Sequence, residues 1–198
     1  MTEYLVPYES AESEFEEKRS RFISHVFLAE TETEARARID EMKKKYYDAR
    51  HNCWCFVLHD GTVRYGDDGE PQGTAGQPML NVFQREEVTN VVCVVTRYFG
   101  GTLLGAGGLV RAYTEGAAIA VRAARPRVMS PCTVLQMDID YGQYGKITYI
   151  LPKYHTVTLE SDFGAAVRMQ ILIKDKYLEP FQKELTELTS ATVVPYAL

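Results

Sequence analysis

The chain has 198 residues, of which 45% are hydrophobic and 25% charged, and its formal net charge is −5. This composition is typical of a globular protein and argues against a surface coated in positive charge for nucleic acid, although it allows a local basic groove. No run approaches the roughly 20 apolar residues of a membrane span, and no secretory signal is visible at the start of the sequence. The four cysteines lie in apolar runs. We expect a cytoplasmic protein with buried, reduced thiols, no membrane contact and no disulfide-linked partner.

The first part of the chain predicts alternating strands and helices. Strand patterns occur over residues 15–28, 51–59, 62–65 and 91–95. Thr31 and Glu34 form a capping box, and the apolar residues that follow fall on one face of a helix. A short helix is expected from Pro78 to Phe83. The continuous apolar run Val91–Val95 is typical of a strand that is buried on both faces.

A longer helix is predicted from about Gly107 to Ala124, and its apolar face consists mainly of small residues. The members of that face are Leu109, Ala112, Tyr113, Gly116, Ala117, Ala120, Val121 and Ala124. Small side chains let a helix approach a sheet closely. The helix should end before Pro126, because the residue before a proline is disfavoured in the α region.

From Val128 the pattern starts again. Strands are predicted over 133–140, 156–160, 165–174 and near Val193, and helices over 144–151 and 176–188. The order β-α-β-β-α-β is that of the ferredoxin-like fold. The sequence therefore predicts an α/β (α+β) protein of two domains, residues 1–127 and 128–198.

Glycine is concentrated in two loops: nine of the 14 glycines lie between Arg64 and Tyr113. The second loop, residues 97–108, opens the long helix, whose first N–H groups and macrodipole favour an anion. Arg97 and Arg111 could add donors to a phosphate there. Alternatively, the glycines only permit a tight strand-to-helix turn and close packing.

The first loop, residues 67–76, carries the acidic residues Asp67, Asp68 and Glu70. Carboxylates of this kind bind Mg²⁺ together with substrate phosphates. We favour structural roles for Asp67 and Asp68, since Asp-Gly is a common turn and carboxylates also cap helices or pair with arginines. Alternating His and Cys residues over 51–59 point in parallel along one strand, so we expect a buried strand face and not a zinc site.

Several motifs together resemble the IMPACT/YigZ family. The runs that carry the resemblance are 67–78, 94–101 and 104–113, with 18–22 and 51–54 in support. The resemblance implies an N-terminal α/β sandwich like domains of a small-subunit ribosomal protein and of a translocating elongation factor. It also implies a ferredoxin-like C-terminal domain like the last domain of that factor. Eukaryotic relatives modulate translational control without catalysis, and bacterial relatives have no settled biochemical role.

We therefore predict a non-enzymatic binding module linked to translation or its regulation, whose partner is RNA, the ribosome or a translation-associated protein. The alternative is an enzyme that acts on a phosphorylated or nucleotide substrate with Mg²⁺ at the acidic loop. No catalytic residue, resident metal or other cofactor is predicted. The residues expected to bind the anion, nucleic acid or partner are Arg64, Asp67, Asp68, Glu70, Arg97, Tyr98, Gly100, Gly101, Gly105, Gly107, Gly108 and Arg111.

Overall fold

The computed structural model describes residues 2–198 and divides into two compact units. The N-terminal unit comprises Tyr4–Met129, and the C-terminal unit comprises Ser130–Leu198 together with residues 2–3. Each unit has its own hydrophobic core.

The N-terminal unit is built around a five-stranded antiparallel sheet. Its elements are β1 (Tyr4–Val6), β2 (Ala11–Glu17), β3 (Ser20–Leu28), α1 (Glu32–Lys45), β4 (His51–Val57), β5 (Val63–Gly66), α2 (Gly76–Arg85), β6 (Val91–Tyr98), α3 (Gly105–Ala123) and β7 (Arg127–Met129). The strand order in the sheet is β2-β3-β6-β4-β5, while β1 and β7 form a separate antiparallel pair. The predicted α/β sandwich is therefore confirmed.

Strand β6 lies at the centre of the sheet and is buried on both faces, as its apolar run predicted. Cys93 and Val95 pack into the core beneath α2 and α3, whereas Val92 and Val94 belong to a separate core beneath α1. Because successive side chains of a strand point to opposite faces, this one strand supplies both cores.

Helix α3 packs very close to the sheet through the predicted face of small residues. A Cβ on Gly116 would lie 2.8 Å from Ser24 Oγ, which is closer than carbon atoms tolerate. Tyr113 is the one large side chain of this face, and it is fully buried. The small residues thus leave room for Tyr113 to reach the loops above β6.

The segment expected as one strand over 15–28 is a hairpin. Strands β2 and β3 pair with Glu17 opposite Ser20, so Lys18 and Arg19 form a two-residue turn. Both turn residues have positive φ, 49° and 65°. Turns of this kind normally carry Asn or Gly, and the Lys-Arg dipeptide therefore offers no turn signal in the sequence.

The C-terminal unit has the predicted ferredoxin-like fold. Its elements are β8 (Cys132–Ile139), α4 (Tyr141–Ile150), a 3-10 turn (Leu151–Tyr154), β9 (Val157–Phe163), β10 (Val167–Lys174), α5 (Asp175–Thr189) and β11 (Tyr196–Ala197). The antiparallel sheet has the order β11-β8-β10-β9. The last strand is Tyr196–Ala197 and not the region of Val193, which instead buries its side chain in the core.

The cysteines differ from the sequence prediction at one position. Cys53, Cys55 and Cys93 are buried, but Cys132 is exposed at the start of β8. Burial raises the pKa of all three core thiols well above the usual range, which suppresses the reactive thiolate. Within residues 2–198, no helix is long and apolar enough to cross a membrane.

We predict that the folded protein exposes one reactive thiol. Titration with a chromogenic disulfide should modify Cys132 rapidly and the three core cysteines only after unfolding, because a buried thiol is protonated and inaccessible. In the Cys132→Ser variant the fast phase should disappear. A second fast thiol in the native wild type would contradict the packing described for the core.

Candidate functional site

The side chain of Asp67 holds the first glycine loop together. Its carboxylate accepts hydrogen bonds from the backbone N–H groups of Gly73 (2.8 Å), Ala75 (3.1 Å) and Gly76 (2.8 Å). Gly76 is the first residue of α2, whose N-terminus has no other side-chain cap. Asp67 therefore acts as a helix-capping residue, which is one of the structural roles that the sequence analysis favoured over binding of Mg²⁺.

Asp68 joins the same loop to strand β4 and helix α1. Its carboxylate accepts from the Asn52 N–H and from Lys43 Nζ, each at 2.7 Å. The backbone oxygen of Asp68 lies 2.8 Å from His51 Nδ1. Since a carbonyl oxygen only accepts, Nδ1 carries the proton and fixes the tautomer of the neutral ring.

Glu70 and Arg97 form a buried ion pair. Glu70 Oε1 accepts from Arg97 Nη1 at 2.7 Å and from the Tyr113 hydroxyl at 2.9 Å. Arg97 is 5% exposed and Glu70 8% exposed. Burial, with Cys53 and Glu70 beside it, raises the pKa of Tyr113, so this hydroxyl stays protonated and donates. The arginine expected to bind a ligand is thus already neutralised by a carboxylate of the first loop.

The second glycine loop is fastened to the β2–β3 turn. The N–H of Gly100 donates to Ser20 Oγ at 3.2 Å, and Arg19 Nη2 donates to Thr102 Oγ1 at 3.3 Å. A Cβ on Gly100 would lie 1.9 Å from the carbonyl carbon and oxygen of Arg19. Only glycine permits this contact between the two segments.

The start of α3 is open to a ligand. Gly105 has a φ of +72°, no side chain caps the helix, and its first turn contains no acidic residue. The first N–H groups of a helix have no partner within the helix, and the macrodipole adds positive potential there. The Arg111 guanidinium lies alongside, with Nη1 3.6 Å from the position of a Cβ on Gly107.

A cleft of about 360 Å³ lies between the two glycine loops. Its polar lining is supplied by Arg50, His51, Glu70 and Arg97, and its apolar lining by Pro71, Phe99, Leu103, Leu104 and Leu109. Gly105 and Ala106 bring the start of α3 to the wall. The cleft combines an aromatic ring that is 46% exposed, Phe99, with cationic and N–H donors.

The structure brings together only some of the residues that the sequence predicted as one site. Glu70, Arg97 and Gly105 line the cleft, and Gly108 and Arg111 line a neighbouring groove with Lys18. Gly100, Gly101 and Gly107 shape the loop and the helix start around it.

The remaining four predicted residues line neither the cleft nor the neighbouring groove. Asp67 and Asp68 are engaged inside the first loop, as described above. The Tyr98 hydroxyl donates to Asp48 at 2.7 Å, and partial burial together with this bond raises the pKa of Tyr98 to about 12. Arg64 is an exposed residue of the edge strand β5.

Sequence reasoning missed several residues of the site. Arg50 lies in a connecting segment without a motif, Leu103 is an apolar residue of the second glycine loop, and His51 was not among the residues expected to bind the ligand. In the sequence, Ser20 and Tyr113 have the pattern of ordinary turn and core residues. In the structure, Ser20 accepts hydrogen bonds from Arg97 and from the Gly100 N–H, and the Tyr113 hydroxyl donates to Glu70. No group of three or more His, Cys, Asp or Glu residues within 2–198 is arranged to hold a metal ion.

These features define a two-domain α+β protein with a ligand-sized cleft in its first domain, and comparisons with known proteins give its family. A family model described as the Impact N-terminal domain matches residues 18–121, and a domain of unknown function (DUF1949) matches residues 137–192. An IMPACT family member of Haemophilus influenzae is 39% identical over 198 residues, which are 98% of this chain and 96% of the relative. The chain belongs to the IMPACT family.

Two further matches cover nearly the whole chain. The IMPACT family member YigZ of Escherichia coli is 32% identical over 98% of this chain and 97% of its own. A solved structure described as a hypothetical protein superposes with a TM-score of 0.65 and 30% identity, covering 100% of this chain and 98% of that one. The resemblance drawn from the glycine loops is thereby confirmed.

We predict that Glu70→Ala lowers the free energy of unfolding by about 3–5 kcal/mol, because it leaves the Arg97 charge buried without its partner. Chemical denaturation measures the change. Adding Arg97→Leu to this variant should recover part of the loss, since the unpaired charge is then gone. The matched control is Glu14→Ala, which removes a half-exposed pair with Arg21 and should cost far less than Glu70→Ala, because exposed ion pairs contribute little to stability. Equal losses for Glu70→Ala and Glu14→Ala would contradict the assigned role.

We also predict that Gly100→Ala destabilises the protein by at least about 3 kcal/mol, because its Cβ meets the Arg19 backbone. The neighbouring variant Gly101→Ala should cost only about 1–2 kcal/mol, since that residue has positive φ but open space around it. The same denaturation experiment compares them. A larger loss at Gly101 than at Gly100 would be inconsistent with this contact.

Proposed function

We propose that this protein is a non-enzymatic RNA-binding module that acts in translation or its regulation, and that it contacts RNA phosphates around the start of α3. One observation carries the proposal: Arg19, Arg50 and Arg111, distant in sequence, all lie beside the second glycine loop. Among residues 2–198, none of the three has a carboxylate within 4 Å. Unpaired guanidinium groups beside open helix N–H groups suit phosphate oxygens.

The strained turn at Lys18 and Arg19 supports this proposal. Two long cationic side chains occupy left-handed backbone positions that cost free energy for any residue other than glycine. The turn is docked on the second loop through Gly100, so the strain places the Arg19 side chain beside Thr102. A conformation maintained at a cost next to a cleft points to a function for the side chains it presents.

The local charge supports an anionic partner despite the net charge of −5. Glu70 is neutralised by Arg97, while Arg50, Arg19 and Arg111 form no ion pair with a carboxylate of the described residues, and the helix macrodipole adds positive potential. Glu17 and Glu115 line the groove beside Arg111 and reduce this potential without pairing with it. The acidic loop gives little support to the Mg²⁺ enzyme alternative, because the Asp67 carboxylate accepts hydrogen bonds from backbone N–H groups of the first loop and the Asp68 carboxylate accepts one from the Asn52 N–H of β4.

Filter binding of single-stranded and structured RNA across a salt series tests the proposal. The triple variant Arg19→Ala, Arg50→Ala, Arg111→Ala should bind more weakly at low salt. The logarithm of its affinity for single-stranded RNA should fall less steeply with the logarithm of the salt concentration, by about 0.7 in slope for each phosphate contact that is lost. The charge-matched control Arg64→Ala, Arg85→Ala, Arg122→Ala removes three exposed arginines of the same unit and should keep the wild-type slope.

The proposal is overturned by either of two results. One is that the two triple variants bind RNA equally well. The other is that the wild type binds no RNA at low salt and does not sediment with ribosomes. Circular dichroism of both variants verifies that they are folded, since exposed arginines contribute little to stability.

A further inference from the structure

The lining of the cleft between the glycine loops combines polar and apolar groups. The polar groups include the start of α3, Arg50 and His51, and the exposed apolar side chains are those of Phe99 and Leu103. Its volume of about 360 Å³ is that of a site for a small molecule. A ligand that matches both kinds of lining needs a compact anion and a flat apolar group.

We propose that this cleft binds a nucleotide carrying a terminal phosphate, either free or as the phosphorylated end of an RNA. The phosphate lies at the start of α3, and the base stacks on Phe99. For the RNA source the inference rests on the function proposed above, whereas for a free nucleotide it stands alone.

The phosphate end is supported by donors that have no partner in the protein. Helix α3 is 19 residues long and begins without a side-chain cap or an acidic residue. Arg97 lines the cleft, is 5% exposed, and its Nε is buried without a hydrogen-bond partner. An unsatisfied buried donor is uncommon in a folded protein and indicates a missing acceptor nearby.

His51 adds a further polar contact. Its Nδ1 donates to the Asp68 carbonyl oxygen, so Nε2 of the neutral ring is an acceptor, which can accept only from a hydroxyl group of a ligand; it lies 3.9 Å from Glu70 Oε2. Arg50 and the first N–H groups of α3 remain as donors to the phosphate, and a phosphodiester offers them only two free oxygens. A terminal phosphate has three, and it carries more negative charge.

The apolar part of the proposed site is the Phe99 ring, which lies against the Arg97 guanidinium. The Arg97 guanidinium carbon lies 5.6 Å from the centre of the Phe99 ring, in cation–π range. Phe99 is nevertheless 46% exposed, which leaves a face for a base. Stacking of a base on an aromatic side chain tolerates every base, so we expect little preference for base identity.

Ala106 offers a sharp test, because it is exposed in the first turn of α3 and lines the cleft. Ala106→Glu places a carboxylate where the phosphate should bind, and a negative charge at a helix N-terminus stabilises the fold. Ala106→Gln has nearly the same size without the charge. Thermal unfolding should show that both variants are as stable as the wild type, or more stable for Ala106→Glu.

Two measurements follow on these proteins. Calorimetry compares AMP with adenosine and with inorganic phosphate, and fluorescence anisotropy compares one short RNA with a 5′-phosphate or a 5′-hydroxyl. In the wild type, AMP should bind at least tenfold more tightly than adenosine or phosphate alone. The Ala106→Glu variant should lose AMP binding by at least tenfold, Ala106→Gln should lose much less, and Phe99→Ala should lose on the order of tenfold.

The outcomes separate this inference from the proposed function. If AMP does not bind at millimolar concentration and the 5′-phosphate leaves RNA affinity unchanged, the inference is wrong, even where 5′-hydroxyl RNA binds through Arg19 and Arg111. If AMP binds, Ala106→Glu abolishes that binding and no RNA binds, the inference holds for a free nucleotide. The proposed RNA-binding function is then wrong. Unchanged AMP binding in Ala106→Glu overturns the assigned position.

Discussion

The buried contact of Glu70 with Arg97 and Tyr113 is the interaction on which the arrangement of this site depends. It joins the first glycine loop to the central strand β6 and to helix α3, and Arg97 also approaches Ser20 of β3. A buried charge is tolerated only when it is paired and hydrogen-bonded. Because each partner needs the other two, the loops are held in one position relative to the helix.

This contact also decides which residues are available to a ligand. Arg97 is paired with Glu70, whereas Arg50 and the start of α3 line the cleft and Arg111 lines the neighbouring groove. The acidic residues of the first loop are engaged in the same way, since Asp67 caps α2 and Asp68 bonds to β4.

Much of the fold could be predicted because its signals are local. The capping residue Thr31, the continuous apolar run of β6 and the small residues of α3 each reflect periodicity or propensity within one element. The β2–β3 turn could not be found in this way, since Lys18 and Arg19 adopt positive φ against their preference. That conformation is stabilised by a segment about eighty residues away, through Gly100.

The sequence by itself determined the α+β fold class and the family, and it drew attention to the two glycine loops, because glycine spacing and apolar periodicity are properties of short stretches of chain. Only the tertiary structure decided the role of each charged residue there. Whether Arg97 binds a ligand or a carboxylate depends on Glu70, 27 positions away, and Arg50 joins the cleft only through packing of β4 against β6. Pairing of charges across such separations is set by the folded geometry, and local residue patterns carry no record of it.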